Sequence, residues 1–154
     1  LVGAVPGALH CLIGWAAGDN NLGIGGWVLF AFQFFWQFPH FWAIAWVAHK
    51  DYSTAGFKLL PADKGPTKFT ALQTIMYSLL LIPVTLAPYF IGMCSYDDVQ
   101  GIISLVLIGL ANLFMIGRCV TLYKKMDVGS ARQVMFGSHL YLPVVMLPLL
   151  LSKV

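Results

Sequence analysis

Glutamate is missing altogether from the 154 residues, and charge of either sign is scarce, with Asp, Lys and Arg together at 10%. A soluble domain carries about 25% charged residues, so an ordinary water-facing exterior is excluded. Cysteine is sparse as well. Cys11, Cys94 and Cys119 stand far apart with no CxxC or comparable ligand spacing, which argues against a disulfide framework or thiolate metal site and leaves them as packing residues. No internal repeat or low-complexity tract stands out. The net charge of +3 is spread between apolar runs and not gathered on one face, which argues against nucleic-acid binding.

What is abundant is apolar. Hydrophobic residues make up 59% of the chain and the mean hydropathy is +0.80, whereas a soluble domain is roughly 45–50% apolar. The runs are long enough to cross a bilayer, which needs about 20 residues. The expectation is an all-α, multi-span transmembrane helix bundle with one domain over 1–154 and five spans. The spans are placed at Leu1–Ala17, Ile24–Ala48, Ala71–Met93, Val99–Leu122 and Val134–Leu151. Gly18–Gly23 and Cys94–Asp98 read as short connections, and His49–Thr70 and Tyr123–Gln133 as longer basic ones. Pro39, Pro83 and Pro88 fall inside spans, where neighbouring helices can re-satisfy the freed backbone. The first residue is Leu1, inside an apolar run with no charged leader before it. That run reads as a span and not a signal peptide, and the expectation is a chain cut from a longer one upstream.

Lysine and arginine then set the orientation. Lys50, Lys58, Lys64 and Lys68 lie in the second-to-third connection, and Arg118, Lys124, Lys125 and Arg132 lie at or near the fourth-to-fifth. The other two connections carry none. By the positive-inside rule the basic connections face the cytoplasm.

One stretch breaks the apolar pattern. Trp36-Gln37-Phe38-Pro39-His40 runs through Phe41, Trp42 and Trp46 into His49-Lys50-Asp51-Tyr52. Polar and ionisable side chains at such depth are expensive and mark a functional site by default. At 100° per residue, with Gln37 at zero, Gln33 falls at about −40°, His40 at about −60° and Asp51 at about −40°. That stripe is expected to look into a protein cavity. His40 is either a buried histidine bonded to a neighbouring helix or a substrate contact, proton acceptor or porphyrin ligand. Asp51, beside Lys50 at the helix exit, is either a solvated boundary pair or a magnesium–diphosphate ligand, since Mg²⁺ takes one or two carboxylates and leaves the rest to phosphate and water. Lys50 and Lys58 would then neutralise phosphate. Trp27 and Trp46 suit a membrane aromatic belt. Phe34, Phe35, Phe38, Phe41 and Trp42 between them suit a hydrophobic tail, a flat macrocycle or a carbocation. Arg118 and Asn112 are candidates to face the same cavity. His10 and His139 read as packing, and Asp97 and Asp98 as a solvated turn.

At Trp36-Gln-Phe-Pro-His-Phe41, followed by Asp51-Tyr52, Gly56 and Leu60-Pro61, the chain resembles the protoheme IX farnesyltransferases, or heme O synthases, of the intramembrane UbiA-type prenyltransferase superfamily. Gly3–Gly7, Ile13-Gly14-Trp15, Ser138 and Tyr141-Leu-Pro143 extend the resemblance along the whole chain. It implies a nine-helix membrane bundle of which this is the C-terminal part. The implied reaction transfers the farnesyl group of farnesyl diphosphate to a vinyl group of heme b, giving heme O for terminal oxidases, directly or after a heme A synthase. It also implies an integral protein of a bacterial-type cytoplasmic (inner) membrane. Asp51 matches the second of two acidic motifs that hold Mg²⁺ and diphosphate, with Trp36, Gln37, Lys50, Tyr52 and Lys58 as substrate contacts and His40 as a catalytic residue. The first acidic motif would lie upstream of Leu1, so the fragment alone is expected to be inactive. Two positions depart from the pattern. Ala55 stands where the wider superfamily repeats an aspartate, and His10 where the heme branch has proline. A prenyltransferase with a quinone-type acceptor, and a non-enzymatic transporter or heme-handling protein, are the rival readings.

Overall fold

The computed structural model describes residues 3–56 and 66–153. Every long element in it is a helix. α1 spans Ala4–Asp19, α2 Ile24–Val47, α3 His49–Thr54, α4 Lys68–Phe90, α5 Val99–Lys125 and α6 Val128–Leu151. Lys58, Lys64, Leu60 and Pro61 lie outside the described residues.

Helix starts follow local capping chemistry. The Thr67 side chain accepts the Thr70 amide at 3.4 Å, the Asp98 carboxylate the Gly101 amide at 2.8 Å, and the Asp127 carboxylate the Ser130 amide at 2.8 Å. Each satisfies an amide that a helix N-terminus leaves without a partner. Two of these caps correct the expected boundaries. Thr67 starts α4 at Lys68, before Ala71. Asp127 starts α6 at Val128, so the long basic connection expected over Tyr123–Gln133 shrinks to Met126 and Asp127. Met126, in the left-handed region at φ 54°, closes α5, while Lys124 and Lys125 in the last turn complement its dipole. The expected connection after α2 likewise begins with a helix. Its first residues form α3, set off from α2 by Ala48.

α2 packs against both α4 and α6, and α5 packs against both α4 and α6. The four therefore close a ring, with α1 laid on α2 beside it. Phe32, Leu81, Ile108, Met115, Tyr141 and Val145, each at most 2% exposed, fill the ring. Most polar groups inside it are paired, the buried Thr70 hydroxyl being an exception. Tyr141 donates to Asn112 Oδ1 at 2.6 Å, and Asn112 Nδ2 donates to Thr85 at 2.9 Å. Thr74, Ser78 and Thr85 give their hydroxyl protons back to carbonyls of α4. The outside is the reverse of a soluble surface: Ile102, Val106, Leu110 and Leu113 of α5 and Leu140, Leu147 and Leu150 of α6 are exposed. An apolar exterior around a polar interior that is mostly hydrogen-bonded belongs to a protein solvated by lipid.

α4, α5 and α6 are each long and apolar enough to cross a membrane. The described part of α1 has 16 residues, near the lower limit of about 17. α2 has 24 residues, but Gln33, Gln37, His40 and its tryptophans make it less apolar. The two ends of the ring differ. Lys68 at the start of α4 lies 5.5 Å over the Tyr123 ring near the end of α5, so Lys50, Lys68, Lys124 and Lys125 gather at one end. At the other, Cys94 bridges to Lys153 and the Ser95 amide donates to Ser152 O at 3.0 Å.

Candidate functional site

The anomalous stretch occupies the second half of α2, the helix shared by the ring and α1. Pro39 leaves one amide of the helix ladder missing just before His40. The residues around it are all buried: Trp36, Gln37, Phe38, Pro39 and His40.

Their side chains divide between two partners. Gln37 points to α1, where its Nε2 donates to Ala4 O at 3.3 Å. Gly7 makes that approach possible, because a Cβ there would lie 2.7 Å from Gln37 Oε1. Trp36 and His40 point instead to α6 and converge on one residue. Trp36 Nε1 donates to Ser138 O at 3.1 Å, and His40 Nδ1 lies 2.6 Å from Ser138 Oγ. The indole and imidazole stack at 4.7 Å with 15° between planes, and His139 closes edge-on at 4.5 Å.

A cavity of about 370 Å³ opens along the Gln37 side of α2, lined by Gly3, Ala4, Gln37, Phe38, Phe41, Trp42, Ile44, Ala45 and Tyr52. The structure thus brings Gln37 and Tyr52 together around one space with three aromatic rings. His40 and Trp36 sit behind it, against α6, so the polar stripe drawn on an ideal helix does not share a single cavity. The expected partners from α5 do not line it either. Asn112 is bonded within the ring, and Arg118 donates to Gln133 Oε1 at 2.9 Å and lies 5.0 Å from the Phe114 ring.

The rings of α2 also have a packing role that the sequence alone leaves open. Phe34, Phe38 and Trp42, one turn apart, contact in series at 5.2 and 5.3 Å. Tyr77 of α4 meets Phe38 at 4.5 Å and Trp42 at 5.2 Å. Trp27 is 52% exposed and suits a membrane belt, but Trp46 is 3% exposed and belongs to the core. Tyr77 and Ser138 escaped the reading of the sequence as site residues. Their contacts with α2 link residues far apart in the chain, and no local spacing reports them.

At the basic end, α3 turns the chain off α2 and holds Lys50 and Asp51 exposed while Tyr52 is half-buried at the cavity wall. Thr54 Oγ1 donates to Lys50 O at 2.8 Å, which ties the short helix together. No group of three or more His, Cys, Asp or Glu able to hold a metal occurs among the described residues. Asp51 would contribute one exposed carboxylate to a divalent cation. That donor set fits Mg²⁺ whose other positions are taken by phosphate oxygens and water. Lys58 lies outside the described residues.

The sequence profile of the UbiA prenyltransferase family matches residues 1–140. The chain is 42% identical over 153 residues to a protoheme IX farnesyltransferase of Cytophaga hutchinsonii, covering 99% of this chain and 51% of that protein. Similar proteins of the same name occur in Flavobacterium psychrophilum, 40% identical over 99% of this chain and 50% of the relative, and in Myxococcus xanthus, 36% identical over 100% and 50%. The chain thus spans about half the length of the curated relatives it matches. No solved structure matches it.

Proposed function

The chain belongs to the UbiA prenyltransferase family, and we propose that it supplies about half of an enzyme that transfers the farnesyl group of farnesyl diphosphate to a vinyl group of heme b, with water adding to the inner vinyl carbon, giving heme O and diphosphate. The observation that carries this reading is the join between α2 and α3. Tyr52 walls the apolar cavity while Asp51 and Lys50, beside it in sequence, stand exposed at the basic end. A substrate with an apolar chain and a charged diphosphate needs both surfaces in one continuous site.

Each residue has a role in the proposed reaction. Asp51 holds a magnesium–diphosphate group, with Lys50 and Lys58 as further positive charge. Bound Mg²⁺ supplies neutralisation of the charge that develops on the departing diphosphate. Phe38, Phe41 and Trp42 exclude water from the allylic carbon and face it with ring electrons. Gln37 offers a buried amide to the acceptor, Tyr52 closes the inner mouth, and Trp36 and His40 set the acceptor side, with His40 able to orient water or accept a proton. The basic connections lie on the cytoplasmic side of the inner membrane, and heme O passes to a terminal oxidase, directly or through a heme A synthase. The names of the relatives support heme as the acceptor over a quinone precursor. The first acidic motif is assigned to the part of the relatives' length that this chain does not cover.

The test uses the full-length protein in membranes, supplied with heme b, farnesyl diphosphate and Mg²⁺, with products read by mass spectrometry. Heme O is the expected product. Prenylation of a quinone-type aromatic acceptor with no heme O would contradict the proposal.

A further inference from the structure

Ser138 is the point at which α6 takes hold of the polar stretch of α2, and it engages two of its side chains through different atoms. Its carbonyl accepts from Trp36 Nε1 at 3.1 Å. Its hydroxyl lies 2.7 Å from Met135 O and 2.6 Å from His40 Nδ1. A carbonyl can only accept, so the 2.7 Å contact takes the single hydroxyl proton of Ser138. The hydroxyl oxygen then faces His40 with lone pairs, and a short bond to Nδ1 requires the proton to be on that nitrogen.

From this we infer that Ser138 is a positioning residue: it fixes His40 as the Nδ1-protonated tautomer and leaves the Nε2 lone pair as the atom His40 offers to the reaction. The inference rests on the proposed function for its chemical purpose but not for its geometry. Two further contacts hold the ring in place. The Trp36 indole covers one face of the imidazole at 4.7 Å, and the His139 ring meets it edge-on at 4.5 Å. His139 Nδ1 itself lies 3.0 Å from Met135 O, the carbonyl that also accepts the backbone amide of His139 in the helix ladder. Among the described residues no hydrogen bond reaches His40 Nε2. A histidine whose one nitrogen is occupied by a fixed partner has its other nitrogen's role decided by that partner. A half-turn of the ring about Cβ–Cγ would keep the Trp36 stack but put Cδ2 in place of Nδ1, and so lose the Ser138 bond.

The experiment reads the tautomer directly. Full-length protein with ¹⁵N-labelled histidine is reconstituted in bilayers, and solid-state NMR compares wild type with Ser138→Ala, Ser138→Thr and Tyr141→Phe. A His40→Gln sample identifies the His40 signals. In wild type, Nδ1 of His40 is expected to carry the proton and Nε2 to be bare. Ser138→Ala should shift His40 to a mixture or to the Nε2-protonated form, and Ser138→Thr should restore the wild-type pattern. Tyr141→Phe removes a different bond of α6 and should leave the tautomer alone, which separates loosened packing from tautomer control. In the heme O assay Ser138→Ala should lower kcat about tenfold with KM nearly unchanged, equivalent to about 1.4 kcal/mol, with Thr within about twofold of wild type. An Nε2-protonated His40 in wild type, or a His40 tautomer indifferent to Ser138→Ala, would overturn the inference. If wild type makes no heme O but shows the expected tautomer, the functional proposal falls and the geometry stands.

Discussion

Alanine at position 7 would place a methyl group 2.7 Å from Gln37 Oε1, closer than carbon and oxygen pack. The Gly7→Ala variant must therefore push the Gln37 amide off its bond to Ala4, a shift that the flexible end of a glutamine can make, while alanine gains about 1 kcal/mol of helix propensity over glycine. The expected outcome is a denaturation midpoint of the full-length protein near that of wild type, with a raised KM for substrate because Gln37 lines the cavity. Tyr141 behaves differently. Its hydroxyl donates to Asn112 inside the ring, where both side chains are buried, so Tyr141→Phe removes the donor to the Asn112 oxygen. The loss should be about 1 kcal/mol, since hydrogen bonds within membrane bundles average about 0.6 kcal/mol and reach about 1.7. A double-mutant cycle with Asn112→Leu should return a coupling energy of that size, and additive effects would show that the bond contributes nothing. These two residues show what the sequence leaves out. Gln37 stands out as a polar residue in an apolar run, but nothing local says that it turns to α1 while His40, three residues on, turns to α6.

At the scale of the element, capping decides where helices begin, and hydropathy does not. The basic run Tyr123–Gln133 looks like a loop because charge separates two apolar segments. Asp127 overrides that impression by accepting the Ser130 amide, and α6 gains its first turn and a half. Hydrogen bonds from the Ser130 side chain and then its backbone amide hold the Asp127 carboxyl below the ordinary carboxylate value. A depressed carboxyl contributes stability above its unfolded-state pKa and loses that contribution as pH falls through its folded-state pKa. Asp127→Asn keeps a capping oxygen without the titration. The full-length variant should lose part of the acid dependence of its denaturation midpoint between wild-type pH 5 and 3, values chosen as roughly spanning carboxylate titration. An unchanged acid limb would show that the cap does not titrate as argued. Three of the five expected spans, those of α4, α5 and α6, were legible, because length and composition alone mark a segment that lipid can solvate. The prolines inside α2, α4 and α6 did not mislead, since each helix continues through them.

At the scale of the molecule, the arrangement is a ring of four helices with α1 against its shared helix and basic charge at one end. Charge counting anticipated that end, and the Lys68–Tyr123 contact places the two basic segments together. The cytoplasmic assignment predicts that a cysteine introduced at Lys125 reacts in inside-out vesicles and is protected in right-side-out ones from an impermeant maleimide. One introduced at Asp97 should do the opposite, and the reverse pattern would invert the topology. The motif Trp36–Tyr52 was the most legible part of the candidate site, because Gln37 and His40 are polar groups buried where each is costly. Its division into a cavity face and an α6 face depends on contacts across about a hundred residues of chain, which no periodicity encodes.

The central claim is that Asp51 joins the charged mouth to the apolar cavity as a diphosphate-binding carboxylate. The most direct measurement is heme O formation by the full-length protein carrying Asp51→Asn, titrated with Mg²⁺ at saturating heme b and farnesyl diphosphate. Because Asp51 is exposed on α3, the variant should fold as wild type does. Loss of one preorganised electrostatic group is expected to lower the rate by about 10²-fold or more, with a raised Mg²⁺ requirement. Wild-type heme O formation at wild-type Mg²⁺ concentrations would contradict the account.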